Sequence, residues 1–456
     1  MMRTKIFKAL VNEIGFFKSH PRDMRTVLLT NMIYALVLPI VDIFVGAYIM
    51  RSSNDQTMVA VYQLAVYTGI PITFFINGLL LKTVKIVRLY SLGMLMSGIS
   101  MIYMMSLEGL SHMGVGMVGL IMGVSFGFFW ANRDFLALDT TNNENRNYYY
   151  GVETFFYTIA AIIIPLFVGW FLITSQERDW FGGSISISYK AVTVGVFLLT
   201  IIATIVAHRD KFRNPKQKNF VFFKFDILWQ KMLVLSGLKG LAQGYLVTAP
   251  AILVMTLVGD ENSLGLIQSI SGAVTAVILY LLGRFAKPEH RIYIFIVGLI
   301  AFAIGTVANA ILFSSVGVII FMLMKVLFQP LHDIAYFPIQ MRVIDVVSKK
   351  EKRSEFAYLF NHEFGLYVGR FSGLILFLAL SFGISDTFAL KYSLPIIAFI
   401  QLLSIPLAKH IIKRTDEADT DLEQRPEPLL LNPVEKSTIE STHKVDTKTE
   451  LGVIKV

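Results

Sequence analysis

Lys239, Lys325 and Arg370 sit in stretches of this chain that are otherwise apolar, and Asp42 is the one acid at comparable depth. A charge at the centre of a membrane helix costs about 3 kcal/mol on insertion scales. Measured at about 1.5 Å per residue from the basic end of each stretch, Lys239 lies about 15 Å in, Lys325 about 20 Å, Arg370 about 21 Å and Asp42 about 24 Å. Three cations then face one anion. Such an excess is costly until an anion arrives to neutralise it. The chemistry this predicts is electrostatic capture of a small organic anion, with no covalent step.

Helical spacing groups these charges with other polar side chains. Lys325, Gln329, His332 and Tyr336 recur at i, i+4, i+7 and i+11. Glu363, Tyr367 and Arg370 share a second stripe, and Ser236, Lys239 and Gln243 a third. In the first half the stripes are Gln63, Tyr67 and Asn77, and Tyr149, Glu153 and Tyr157. Polar stripes on apolar helices read as cavity walls, or alternatively as packed interhelical hydrogen bonds. The substrate-binding set is expected to be Lys239, Gln243, Lys325, Gln329, Tyr367 and Arg370.

A second layer lies nearer the basic end. Arg133 and Asp134 are about 6–8 Å in, level with Glu153 on the next helix. His332 with Asp333, and His362 with Glu363, occupy similar depths in the second half. Arg133 is expected to pair with Glu153, either as a static salt bridge or as a proton-coupling device. Asp42 is about 16 Å too far along the membrane normal to serve. Asp42, Glu153, His332 and Glu363 are the candidate proton-coupling groups. A metal site at His332, Asp333, His362 and Glu363 is not expected, because consecutive helix residues diverge. No cofactor is expected.

Elements that span a bilayer must hold these residues. The chain is 55% hydrophobic and 16% charged, against about 25% charged in soluble proteins. Twelve stretches are long enough to cross: 26–50, 57–81, 87–106, 113–138, 149–174, 188–208, 229–256, 262–283, 291–313, 315–338, 356–382 and 388–408. The break at Ser314 and Ser315 is the weakest. Basic residues crowd one side, as in Lys82, Lys85, Arg88, Arg209, Lys211, Arg213, Arg284, Lys287 and Arg291. The opposite loops offer Arg51 and Arg178. The positive-inside rule then puts both termini in the cytoplasm. The net charge of +9 is thus topology and not a nucleic-acid footprint. With no cysteine, disulfides and thiolate metal sites are excluded.

The expected organisation is a cytoplasmic amphipathic leader (1–25), a six-helix bundle (26–208), a cytoplasmic linker (209–228), a second six-helix bundle (229–408) and a disordered cytoplasmic tail (409–456). The leader places Ile6, Leu10, Ile14 and Phe17 near one helical face. The tail is rich in Thr, Glu, Asp and Lys from about residue 413.

One pattern appears twice, about 206 residues apart. Asp139, Glu144 and Arg146 follow the fourth stretch, and Asp345, Glu351 and Arg353 follow the tenth. An internal repeat in an apolar chain marks two related bundles. Those residues, with Gly151, the twelve stretches and the long central loop, resemble the major facilitator superfamily. Gly78 with Lys82, Lys85 and Arg88, and Gly283 with Arg284, Lys287 and Arg291, partly match its basic loops. Its drug-antiporter signature is incomplete: Pro165 and Gly169 are present, but Ile164 stands where a glycine is usual. The resemblance implies an all-α integral membrane fold of twelve transmembrane helices in two pseudo-symmetric six-helix bundles. It also implies that Arg133, Asp134, Asp139, Arg146, Asp345 and Arg353 act as cytoplasmic charge locks. Gly119, Gly123 and Gly127, spaced by four, allow close helix approach. Pro39 and Pro250 lie about one repeat apart and permit bending.

The function this predicts is a monomeric, proton-coupled secondary transporter of a small organic anion in the inner membrane. Its partners would be the bilayer, protons and the substrate. The alternatives are an exporter of lipophilic or cationic compounds and a non-transporting receptor or scaffold. An enzyme would need a catalytic motif, and none stands out.

Overall fold

Because its backbone groups must be satisfied inside lipid, an apolar chain of this kind closes into helices. The computed structural model, which describes residues 15–141, 145–214, 222, 224–285, 288–353 and 355–423, is all-helical across its spans. Twelve helices are long and apolar enough to cross a membrane. They are α1 Arg22–Ser53, α2 Gln56–Leu80, α3 Ile86–Ser106, α4 His112–Ala137, α5 Tyr148–Glu177, α6 Ile185–Ala207, α7 Ile227–Leu257, α8 Glu261–Leu282, α9 Arg291–Leu312, α10 Ser315–Glu351, α11 Ala357–Gly383 and α12 Asp386–Asp421. Each matches one expected stretch. Twelve crossings return the chain to its starting side, here called the terminal side; the other is the distal side.

Local chemistry sets the ends. Asp55, Ser111 and Ser385 cap α2, α4 and α12 by accepting from the N–H groups of Thr57, Gly114 and Phe388. The weak break after α9 is made by Phe313, whose φ of 36° is left-handed and stops the helix. Its N–H donates to the Asn309 carbonyl at 2.9 Å. Ser314 then starts α10 from an extended backbone.

The packing is pseudo-symmetric. Within the first half α4 packs on α2 and α3, and within the second α10 packs on α8 and α9. The halves meet through α5 on α8 and α2 on α11. Gly119, Gly123 and Gly127 lie against the α2 backbone, where any side chain would collide with Tyr62, Val66 or Thr73. The incomplete signature lies in the other seam: Gly265 of α8 sits on the Pro165 carbonyl, and Gly169 of α5 on that of Glu261.

Two spans are broken where prolines fall. α1 runs helical to Ala35, continues as a π-helix over Ile40–Phe44 after Pro39, and resumes at Val45. α7 breaks between Leu246 and Ala249, next to Pro250. Proline removes a backbone donor, and such breaks persist in membranes only where protein or a cavity satisfies the freed groups.

The expected disordered tail is corrected at its start. Residues Ser404–Glu423 form a helix. Ile411 and Thr415 are buried on one face, and Arg342 of α10 pairs with Asp416 at 2.6 Å and Asp419 at 3.6 Å. Composition alone hid this, because the acids that read as solvated have a basic partner. Residues 424–456, residues 1–14 of the leader, residues 215–221 and 223 of the linker, Glu144, Lys287 and the side chains of Arg146 and Arg284 lie outside the described residues.

The positive-inside rule yields the first prediction. Cysteines replacing Ser53, Ser184 and Ser385 in this cysteine-free chain will react with an impermeant thiol reagent from outside intact cells. One replacing the exposed Lys349 will not. Ser348 next to it is buried and would be silent from either side. Outside labelling at position 349 would invert the orientation.

Candidate functional site

The broken stretches of α1 and α7 border a cavity of about 380 Å³ between the halves. Asp42, on the π-helical turn after Pro39, lies on one wall, with Trp130 of α4 and Tyr157 of α5 nearby. Lys325 and Gln329 of α10 line the other, with Gln268 and Ser271 of α8. π-helical turns recur at functional sites because they redirect a side chain off the helix register. Neither Asp42 nor Lys325 has a hydrogen-bond or ion-pair partner among the described residues. An acid from one half and a base from the other thus share a cavity sized for a small molecule.

The other two midplane cations are placed differently. The Lys239 ammonium donates to the Asp333 carboxylate at 2.7 Å and lies 4.2 Å and 3.9 Å from the ring centroids of Tyr336 and Phe337. Arg370 donates to the Gln243 carbonyl at 3.2 and 3.0 Å and stands 3.7 Å from the Glu363 carboxylate. It also lies 5.2 Å over the Tyr67 ring of α2, which ties it to the first half. The expectation of three cations against one anion therefore fails. Depth was reckoned at the backbone, but Lys and Arg side chains reach one or two turns to a carboxylate. Lys325 alone of the three has no counter-charge within ion-pair distance among the described residues.

His332 does not face the cavity. It is buried between Phe295, Phe328 and Tyr336, with Nδ1 3.4 Å from Asp333. His362 hydrogen-bonds through Nε2 to the Tyr336 hydroxyl at 2.7 Å. Tyr367 lines a separate apolar cleft. Among the described residues no group of three or more His, Asp or Glu is arranged to hold a metal ion.

In the first half the Arg133–Glu153 pair is present. Arg133 Nε donates to Glu153 at 3.1 Å and a second guanidinium nitrogen makes a direct ion pair with it; Asp134 accepts from Arg133 at 2.5 Å. Glu153 is 2% exposed and also accepts from Asn31 at 2.6 Å and from the Tyr149 hydroxyl at 3.3 Å. The Tyr90 hydroxyl donates to Asn31, closing the network. Sequence reading missed Asn31, a polar residue in an apolar span that carries no charge to advertise it.

In the second copy of the repeated pattern, Arg353 and Glu351 are paired and Asp345 is not, among the described residues. Arg353 stands 3.3 Å from Glu351 and donates to the Lys224 carbonyl at 2.5 Å. Glu351 accepts from the Asp226 N–H at 2.7 Å, and Lys350 from α10 pairs with Asp226 at 2.7 Å. Burial pushes the Asp226 carboxyl up, but Lys350 and the Leu228 N–H outweigh it and hold it below the usual range. These contacts pin the start of α7 to the end of α10. Asp139 and Asp345 are exposed and make no ion pair among the described residues.

The distal side holds a lock that sequence reading missed. Arg51 of α1 donates to both oxygens of Glu261 of α8, at 2.9 and 2.5 Å. The Tyr189 hydroxyl of α6 donates to the same carboxylate at 3.1 Å. Glu261 is fully buried. On the same helix as Arg51, Gly46 lets α1 and α7 meet, with the Ala251 Cβ about 3.2 Å from where a Cβ would stand. The only sequence signal was one distal arginine and an acid opening α8.

The fold is shared with solved structures of transporters. The nucleoside transporter NupG superposes with a TM-score of 0.61 at 11% identity, covering 86% of this chain and 100% of that one. A variant of the peptide transporter POT in complex with sulfate gives 0.62 at 12%, covering 86% and 95%. A structure of proton dependent oligopeptide transporters gives 0.60 at 11%, covering 85% and 99%. The chain is thus a multi-pass membrane protein of transporter fold. No known protein-family model matches it. It is similar to an uncharacterized protein of Bacillus subtilis (strain 168), YqgE, at 22% identity over 390 residues, 84% of this chain and 87% of that protein. It is also similar to an uncharacterized protein in the sodM 3′ region of Geobacillus stearothermophilus, at 26% over 151 residues, 33% of this chain and 71% of that protein.

The Lys239–Asp333 pair predicts an asymmetry. Asp333→Asn strands an ammonium that is 3% exposed and will cost about 3–5 kcal/mol. Lys239→Gln will cost less, because the Asp333 side chain is 41% exposed and depends less on this one partner. The double variant will regain most of the loss. Thermal unfolding of the purified proteins reads all three; equal losses in the two single variants would refute the pairing.

Proposed function

We propose that the chain is a secondary active transporter that moves a small organic solute bearing an anionic group, by alternating access and in exchange with or alongside protons. The observation that carries this is Lys325, a cation without a counter-charge on the wall of a cavity shared by the two halves. Such an ammonium is costly until an anion joins it. Asp42 in the same cavity favours a second reading, in which the solute is a zwitterion whose ammonium meets Asp42. Polar Gln268, Ser271 and Gln329 speak against an exporter of lipophilic cations.

Alternating access supplies the roles of the remaining charges. The Arg51–Glu261 lock joins α1 of one half to α8 of the other, so the distal side opens only when it parts. The terminal-side contacts of Asp226, Lys350 and Glu351 lie within the second half and move with it. Glu153 is the coupling group: protonation would weaken its pair with Arg133 while Asn31 and Tyr149 keep it oriented. The name of one fold neighbour, a proton dependent oligopeptide transporter, supports proton coupling. In this reading the protein works as a monomer in the inner membrane with both termini cytoplasmic.

The test is a thermal-shift screen of the purified protein with carboxylates, organophosphates, amino acids, neutral sugars and cationic dyes. A ligand that binds the folded state raises apparent stability by mass action. Anions or zwitterions will stabilise the parent, and Lys325→Gln will weaken that binding by roughly 2–5 kcal/mol. Stabilisation by sugars or dyes alone would sink the proposal.

Coupling is tested separately. Glu153→Gln keeps the shape and one accepting oxygen but has no proton to release. In proteoliposomes it will exchange solute while losing most proton-driven accumulation. Accumulation at the parent level would remove Glu153 from the mechanism.

A further inference from the structure

A second cavity, of about 560 Å³, opens between α2 and α11 and is almost wholly apolar. Ile72, Phe75 and Ile76 form one wall, and Phe360, Phe364 and Tyr367 the other. Ile72 and Ile76 lie about 6–12 Å from the terminal end of α2, and Phe360 and Phe364 about 5–11 Å from that of α11. That is the depth of acyl chains, below the headgroups. Ile72, Phe75, Ile76 and Phe364 are exposed, so apolar side chains of the cleft are left uncovered at acyl-chain depth.

Two lining side chains carry a polar group, the Tyr367 hydroxyl and the Asn361 amide. Asn361 of α11 lines it, and its Oδ1 accepts from the Trp229 indole N–H of α7 at 2.9 Å. An indole nitrogen only donates, so this bond fixes which amide atom is oxygen. Asn361 Nδ2 then has no acceptor among the described residues. It is a donor in an apolar wall, placed to meet an ester or carboxyl oxygen.

Cations stand at the terminal end. Phe222 roofs the cleft there, and the Arg353 guanidinium lies 4.6 Å over its ring. Lys82 and Lys85 follow the end of α2 and are exposed, as is Lys224. Basic residues at this level attract anionic headgroups.

We infer that the cleft is a binding site for one acyl chain of an anionic bilayer lipid, with Asn361 Nδ2–H donating to its ester carbonyl and the basic rim meeting its phosphate. The site is independent of the transported solute. It lies on a seam that joins the halves, so an occupied cleft wedges α2 from α11.

The probes are phosphatidylglycerol, phosphatidylcholine with the same chains, and free glycerol phosphate, each titrated onto protein in neutral detergent and read by native mass spectrometry. Phosphatidylglycerol will bind most tightly, phosphatidylcholine more weakly, and glycerol phosphate not at all. Asn361→Asp keeps the acceptor for Trp229 but removes the donor and repels the anion, so it will weaken phosphatidylglycerol binding roughly tenfold or more. Ile72→Trp, on an exposed position, fills the cleft and will do the same without touching Trp229. Equal affinity for the two lipids, binding of glycerol phosphate, or phosphatidylglycerol binding unchanged in both variants would overturn the site. So would a dimer in lipid-free detergent that Ile72→Trp dissolves, since a second copy would then be the occupant.

Discussion

A charge inside a bilayer must find its partner within the protein, because no water is there to share the cost. Much of this structure follows from that constraint. Lys239 is held by Asp333, Arg370 by Gln243 and Glu363, Arg133 by Glu153 and Asp134, and Glu261 by Arg51 and Tyr189. Each set ties at least two spans together, apart from the reach of Arg133 to its own neighbour. Against that background the freedom of Asp42 and Lys325 is informative. They are the ionisable groups of the cavity that the fold leaves for something else to satisfy.

The pairs differ in what they join. Lys239–Asp333 and Arg133–Glu153 lie within one half and fix helix register there. Arg51–Glu261 crosses between the halves and fixes their mutual position instead. The glycines obey the same division. Gly119, Gly123 and Gly127 bring α4 onto α2 within a half, whereas Gly169 and Gly265 bring α5 onto α8 across the seam. At its distal end that seam of close backbone approach also carries the Arg51–Glu261 ion pair.

The spans were legible because their signal is length and composition, which need no partner. Twelve were expected and twelve candidate spans are found, with Phe313 supplying the break that the serines only hinted at. The Arg133–Glu153 pair was legible because two helices adjacent in sequence bring opposite charges to one depth. Asp333 with Lys239, and Glu261 with Arg51, were not. Their partners lie 94 and 210 residues away in sequence, and backbone depth says little about where a long side chain ends. The helical extension to Glu423 was hidden for the same reason, since Arg342 lies far from Asp416 in the chain.

The correction to the charge count sharpens the site rather than removing it. With Lys239 and Arg370 neutralised, net charge no longer distinguishes the middle of the molecule; what remains is one acid and one base on opposite walls of a single cavity. An ion pair between them across that gap would draw the halves together, and its absence among the described contacts leaves the cavity open. A solute carrying an anionic group, or both charges, would supply the missing counter-charges to each half at once. Binding and closure would then be the same event, because the ligand is the bridge that neither side chain can make alone.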